Sequence, residues 1–261
     1  MQSTRLSHTS SLDSNNELDI SSAEIANIVS YPNFSAKDYS DRLNEISSFG
    51  ITHFLLGGRT KIGKINIAGK GCVSIVLKVR AKSRIYALKI RRTDANRFSM
   101  ERESHLHKIA NSAQVGPHLF QSSKNVIIME FIDGLSLIHW IRNEDISAND
   151  ARHLAASILE QCYRLDRSQI DHGQLSCLNH HILVSKSNNA AKVIDFETAS
   201  TARKPSNVTA AVQSLFLSGI ISSRMNQLLN VVKRESIIQL LKTYKQNTNK
   251  INFDNIMSIF S

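Results

Sequence analysis

The chain has 261 residues, 41% of them hydrophobic, enough for one large domain or two small lobes, which excludes wholesale disorder. Its 32 Lys and Arg against 22 Asp and Glu give a formal charge of +10, which favours anionic partners such as nucleotides, nucleic acid or acidic surfaces without choosing among them. Cys72, Cys162 and Cys177 include no C-x-x-C pair, so neither a disulfide framework nor a clustered zinc site is expected, and no uncharged apolar run reaches bilayer-spanning length.

These features, and an amino terminus without a secretory apolar core, read as a soluble cytoplasmic protein with no membrane partner. Residues 1–20 are rich in Ser, Asn and Asp and are expected to form a disordered tail. Residues 21–58 are expected to carry two helices. Ser21 and Glu24 have capping-box spacing, which predicts a short helix to about Ser30, closed by Tyr31-Pro32. A second helix starts after Ser35, with Tyr39, Leu43 and Ile46 at helical spacing, and stops near Gly50.

From Ile65 to Arg92 the period changes to two: Val73, Ile75, Leu77 and Val79 alternate, which predicts strands of an antiparallel sheet. Between Arg59 and Arg92 stand eleven Lys or Arg and no acidic residue, either a solvated sheet face or a surface for an anionic partner. Residues 97–110 read as a helix and 125–134 as a buried strand entering a turn. Ser147 is placed to cap a long helix through about Asp166, with Leu154, Ile158, Leu159 and Tyr163 on one face. Apolar runs at 181–185 and 191–196 flank a Lys-Ser-Asn-Asn turn and predict a hairpin, and the period from Asn207 onward is helical.

Within this frame a few residues suit phosphate and metal chemistry. Gly69 and Gly71 interrupt a strand pair, and backbone without Cβ can approach phosphate oxygens, although turns with two glycines are common. Lys89 sits inside the apolar strand Tyr86-Ala87-Leu88-Lys89-Ile90, and Glu101 or Glu103 on the next helix can reach it as a counter-ion; all three also read as solvated surface. Asn179 follows His172-Gly173-Gln174-Leu175, and sixteen residues later Asp195 ends a β-branched run. An amide oxygen and a carboxylate at a hairpin base suit Mg²⁺, which takes hard oxygen ligands; the alternative is a turn Asn and a strand-terminal Asp.

The order of these signals resembles the protein-kinase signature series: G-x-G-x-x-S-x-V, A-L-K, H-G-Q-L-x-x-x-N and D-F-E. The stretch from Ile170 to Ser176, Val115-Gly116-Pro117 and the run from Asp195 to Ser200 look like an archaeal family of RIO-like serine/threonine protein kinases, over roughly residues 20 to 250. The resemblance implies an α+β, two-lobed protein kinase-like fold: a small antiparallel β lobe at 59–132 and a reduced helical lobe at 133–261. It further implies that Gly69, Lys70 and Gly71 cover the triphosphate of ATP, that Lys89 meets the α- and β-phosphates, and that Glu103 holds Lys89. Met129 would be the gatekeeper beside the adenine, backbone groups of Glu130 and Ile132 would bond its edge, and Asn179 and Asp195 would hold Mg²⁺ or Mn²⁺.

Three positions depart from the pattern. Ser74 replaces the third glycine, and Glu197 replaces the glycine after Asp-Phe, where an extended chain would turn it to the same face as Asp195 and let it join the metal shell; a salt bridge is its other reading. Gln174 stands where kinases place the catalytic Asp, and an amide cannot accept a proton at neutral pH. Asp171 then reads either as a substitute base or as a structural acceptor, and His172 as a packed loop histidine. With 66 residues after Asp195 and no A-P-E-like segment, the subdomains that hold an extended peptide are expected to be mostly absent.

The function expected is slow phosphoryl transfer from ATP to a protein hydroxyl, with Lys89, Gln174 and Asp195 as its catalytic residues. The alternatives are a nucleotide-binding pseudokinase acting through protein or RNA partners, a small-molecule phosphotransferase, and an RNA- or ribosome-associated scaffold using the basic strands.

Overall fold

The computed structural model describes residues 17–143, 145–230 and 234–260, in two compact units, 1–98 and 99–261. Of the expected tail, residues 1–16 lie outside the described residues, and Glu17–Asp19 forms a strand, β1. Ser22, one residue later than expected, caps a 3-10 turn at Ala23–Ile25 that runs into α1 (Ala26–Val29), because Ser21 is engaged with Asp19 Oδ1. Helix α2 (Ala36–Ser48) starts where expected: the Ser35 hydroxyl accepts the Asp38 N–H at 3.1 Å.

The sheet of this unit is antiparallel. Strand β2 (Ile51–Leu55) follows the expected helix end, where no strand was expected; Gly50 at φ +74° turns the chain, and pairing with β6 makes the next five residues a strand. A separate hairpin, β3 (Thr60–Ile62) and β4 (Ile65–Ile67), precedes β5 (Gly69–Lys70), β6 (Ser74–Ala81) and β7 (Arg84–Arg91). β7 runs along one side of β6, while β2 and β5 share the other, β2 at Lys78–Ala81 and β5 at Ile75 and Val76. The alternation read from the sequence is the buried face: Ile75, Leu77 and Val79 pair with Ile90, Leu88 and Tyr86, and Phe54 of β2 faces Val79. Ile25, Ile28 and Ile46 supply the helical side of this core. The register puts Lys89 opposite Val76, on the other face.

In the second unit α3 (Glu101–Ser112) begins four residues later than expected, because the Met100 N–H donates to Lys124 O and holds the preceding chain out of the helix. A hairpin follows, β8 (Leu119–Ser122) and β9 (Val126–Glu130), then β10 (Gly134–Ser136) and the short α4 (Leu137–Trp140). Helix α5 (Ala148–Arg167) opens on the expected cap, a reciprocal box in which Ser147 and Asp150 satisfy each other's N–H. Strands β11 (Ile182–Ser185) and β12 (Ala191–Val193) make the predicted hairpin, and β10 adds to its edge. Helix α6 (Asn207–Val212) widens into π turns at Gln213–Leu217, and α7 (Ile220–Leu229), α8 (Arg234–Gln246) and α9 (Lys250–Met257) complete the unit.

The fold is α+β, antiparallel strands dominating the first unit and helices the second. The apolar face of α5, with Leu154, Ile158, Leu159 and Leu165 fully buried, is the spine of the second unit's core. Replacing Leu159 by Ala should cost about 2 to 5 kcal/mol through lost burial and the cavity left behind. The loss will read as a lower urea midpoint, and an unchanged midpoint would contradict this placement of α5.

Candidate nucleotide and metal site

In the first unit the glycine segment closes on itself: Gly71 N–H donates to Ser74 O at 2.8 Å, and Arg92 donates from Nη1 to Gly71 O at 2.8 Å and from its backbone to Val73 O at 2.7 Å. Arg92 is itself forked onto Asp94 at 2.7 and 2.9 Å, so the turn is braced from one side. A Cβ added at Gly69 would meet Val76 at 3.9 Å, and one at Gly71 would meet Ser74 O at 3.6 Å, both ordinary contacts. Neither contact is close enough to require a glycine, and both backbone groups of Gly71 are already engaged within the turn. Ser74 is buried, and Lys89 on β7 is only 5% exposed.

The second unit carries the remaining candidates. Glu103 on α3 is 4% exposed, while Glu101 lies on the solvent side. Met129 and Glu130 end β9. The Glu130 N–H is taken by His118 O at 2.8 Å, which leaves its carbonyl as the backbone group able to bond a base edge. Ile132 lies in the following loop, and its backbone makes no hydrogen bond among the described residues.

Gln174, Asn179 and Asp195 are drawn together by backbone bonds at the hairpin base. Asn179 sits in a 3-10 turn (Leu178–His180), the next carbonyl, His181 O, accepts the Ile194 N–H at 2.9 Å, and the following residue is Asp195. From the other side His172 Nε2 bonds Ile194 O at 3.0 Å, which brings the loop carrying Gln174 alongside. Asp195 itself is held at φ +71°, a left-handed conformation that is uncommon outside glycine. β12 has ended at Val193, so the extended geometry that would align Glu197 with Asp195 is not present, and the expectation that they share a face is withdrawn.

The residue after Asp195 explains the backbone. Phe196 is fully buried, with His107 at 4.9 Å and His172 at 5.4 Å between ring centroids. Gly116, at φ +81°, leaves the space the ring occupies, for a Cβ there would lie 2.8 Å from Phe196 Cε2. Val115-Gly116-Pro117 and Asp195-Phe196 are thus one packing unit, further tied by His107 Nε2 to Pro117 O at 2.7 Å.

The loop before Gln174 is immobilised by residues that the sequence reading did not single out. Asn207 at the start of α6 accepts the His172 N–H at 2.9 Å on Oδ1 and donates from Nδ2 to Ile170 O at 2.6 Å. Asp166, 2% exposed at the end of α5, in turn accepts from Asn207 N and Nδ2, from Val208 N and from the Tyr244 hydroxyl at 2.9 Å. Burial pushes the Asp166 carboxyl above its ordinary range and those donors pull it back, while the adjacent carboxylate and burial push the Tyr244 phenol up. Ser214, in the π turns, accepts the Leu178 N–H at 3.3 Å and so reaches the segment bearing Asn179. The only local hints are an Asn at a helix start and an Asp in the last turn of an amphipathic helix.

Asp171 takes the structural role: its Oδ2 accepts Arg203 Nε at 2.7 Å and its backbone exchanges hydrogen bonds with Ser200 at 2.8 and 2.9 Å. Gly173, at φ +86°, leaves room for Arg203 Nη2 and for Thr198, whose hydroxyl donates to His172 O at 2.9 Å. Gln174 then projects an amide whose Oε1 is buried without a hydrogen-bond partner.

The metal donors fit a hard cation. Asn179 and Asp195 offer oxygen and a single negative charge, the set a magnesium ion uses when phosphate and water complete its shell. Among the described residues no cluster of three or more His, Cys, Asp or Glu offers an all-protein site for a softer metal.

A kinase-like nucleotide-binding class is therefore defined by an antiparallel glycine-turn sheet, a buried strand lysine and an Asp-Phe turn locked beside an Asn-bearing loop. The RIO domain family model matches residues 75–210, more than half the chain, and the chain belongs to that family of kinase-like proteins. The match includes Lys89, Glu103, the 129–132 segment, Gln174, Asn179 and Asp195, and begins after the glycine turn. No curated protein matches the chain.

His172 gives a pH test of this packing. Burial, then the nearby His181, pushes its pKa from 6.5 down to about 4. The native imidazole stays neutral while the unfolded one protonates, so stability is full above about pH 6.5 and falls as pH drops toward 4, by up to about 3 kcal/mol. Urea midpoints at pH 7.5 and 5 should show this loss in the wild type and a smaller one in His172→Gln; equal losses would refute it.

Proposed function

We propose that the chain binds ATP with a divalent cation and transfers its γ-phosphoryl group slowly to a serine or threonine hydroxyl of a protein. The observation that carries this reading is the Asp195 backbone. A non-glycine residue is held at φ +71° between a strand end and a fully buried Phe196, and backbone fixed in so sparsely populated a region concentrates at ligand sites.

The roles divide as follows. Gly69, Lys70 and Gly71 lie over the triphosphate, Lys89 neutralises the α- and β-phosphates with Glu103 as its counter-charge, and the Glu130 carbonyl and the Ile132 backbone bond the adenine edge beside Met129. Asn179 and Asp195 hold the cation. Magnesium, when bound, offsets the charge that develops on the phosphoryl oxygens. Gln174 accepts the substrate hydroxyl in a hydrogen bond and orients it, while the proton leaves to solvent or to a phosphate oxygen, since Asp171 is committed to Arg203. Phosphoryl transfer depends mainly on positioning and charge, so losing the base slows the reaction by about 10²- to 10⁴-fold and does not abolish it.

A second reading, a nucleotide-dependent switch that works through a partner, is favoured by one observation: the Gln174 amide oxygen is buried and unpartnered, where a working base would face solvent or substrate.

Labelled ATP with Mg²⁺ or Mn²⁺ separates the two. Wild type should incorporate label slowly, and Lys89→Met and Asp195→Ala should lower the rate by about two decades or more. Nucleotide binding without label transfer in any of the three would leave the switch; absence of nucleotide binding would sink both readings. In Gln174→Asp the rate should rise by about 10²- to 10⁴-fold if proton removal limits it. An unchanged rate would restrict that position to orientation.

A further inference from the structure

A polar cavity lies wholly within the second unit, between the start of α6 and the end of α8, with a volume of about 430 Å³. Lys204 and Lys245 stand at its walls with the hydroxyl residues Ser206, Thr209 and Thr248, and no acidic residue lines it. Neither lysine forms an ion pair among the described residues. Thr209 Oγ1 is buried and has no hydrogen-bond partner, and the Ser206 hydroxyl caps nothing. The Thr248 hydroxyl donates to Tyr244 O at 3.4 Å, so two uncompensated cations beside the Ser206 and Thr209 hydroxyls, which the fold leaves unused, describe a site whose partner supplies acceptor oxygens and negative charge.

We propose that this cavity binds a dianionic phosphoryl group, carried by free phosphate or by a phosphorylated serine or threonine side chain. Two ammonium groups and two hydroxyls match two charges and three terminal oxygens, more than one carboxylate offers. A nucleic-acid strand is the poorer fit. Single strands are held by exposed aromatic faces along an extended groove, and the one aromatic residue here, Tyr244, is 2% exposed with its hydroxyl committed to Asp166. Tyr244 also makes the cavity a neighbour of the Asp166 and Asn207 network that holds residues 170 and 172, so an anion bound there sits beside the support of the Gln174 loop. The site does not depend on the nucleotide reading.

The test is titration of the full chain, by calorimetry, with inorganic phosphate, with a phosphoserine peptide and its unphosphorylated form, and with a single-stranded RNA, each in saturating ADP and magnesium. Saturable binding of phosphate or of the phosphopeptide is expected. It should persist in Asp195→Ala, weaken about tenfold or more in the exposed double variant Lys204→Glu with Lys245→Glu, and weaken less in Thr209→Val. Lys242→Glu, a charge change on α8 outside the cavity, should leave it unchanged. Binding of phosphate alone assigns free phosphate as the ligand, and binding of the phosphopeptide assigns a phosphorylated protein. The proposal is overturned by absence of saturable binding, by equal weakening in Lys242→Glu, or by RNA binding that alone depends on Lys204 and Lys245.

Discussion

The second unit is organised around one buried carboxylate. Asp166 closes α5 and gathers four donors: two from Asn207, one from Val208 and one from Tyr244, so a single side chain joins the end of α5, the start of α6 and the end of α8. A carboxylate 2% exposed is costly unless it is satisfied this fully, and satisfying it fixes the Asn207 side chain as well. Asn207 then has one orientation in which its oxygen meets the His172 N–H and its nitrogen meets Ile170 O. The conformation of the loop that carries Gln174 therefore descends from a charge buried several ångströms behind it.

The opposite wall of the site is built by shape. Gly116 has no side chain where the Phe196 ring enters, and His107 and His172 close around the ring. With Phe196 anchored and Ile194 bonded on both backbone groups, to His181 and to His172, the residue between them has little freedom, and Asp195 takes the positive φ this leaves. Polar bonds on one side and packing on the other thus hold Asn179, Asp195 and Gln174 in one small region. Rigidity of this kind suits chemistry that works by positioning.

That chemistry is kinase-like with one component changed. The RIO domain match covers Lys89, Glu103, Asn179 and Asp195, whose residue types suit a nucleotide and its cation; in the proposed reading Gln174 stands in place of the group that would take a proton. The support around the altered position is complete: Gly173, Thr198 and Arg203 hold the turn before it as tightly as a working loop needs. In the reading proposed above, the substitution at Gln174 acts on rate through proton transfer.

Local physics made much of this legible. Ser35 and Ser147 announce their helices because a cap acts over three residues, and the two-residue alternation from Val73 to Val79 announces the buried sheet face because the pleat itself has that period. The residue types for phosphate and metal could be read in order along the chain for the same reason: each motif is short. The strand at Ile51–Leu55, the left-handed Asp195 and the anchoring role of Asn207 could not, since each is created by a partner distant in sequence: β6, the Phe196 pocket and Asp166. Sequence by itself determined the α+β class, the family resemblance and the list of reactive side chains. Only the tertiary structure decided which backbone holds them and that Asp171 is bound to Arg203, because hydrogen bonds and packing across long separations leave no periodic trace in the chain.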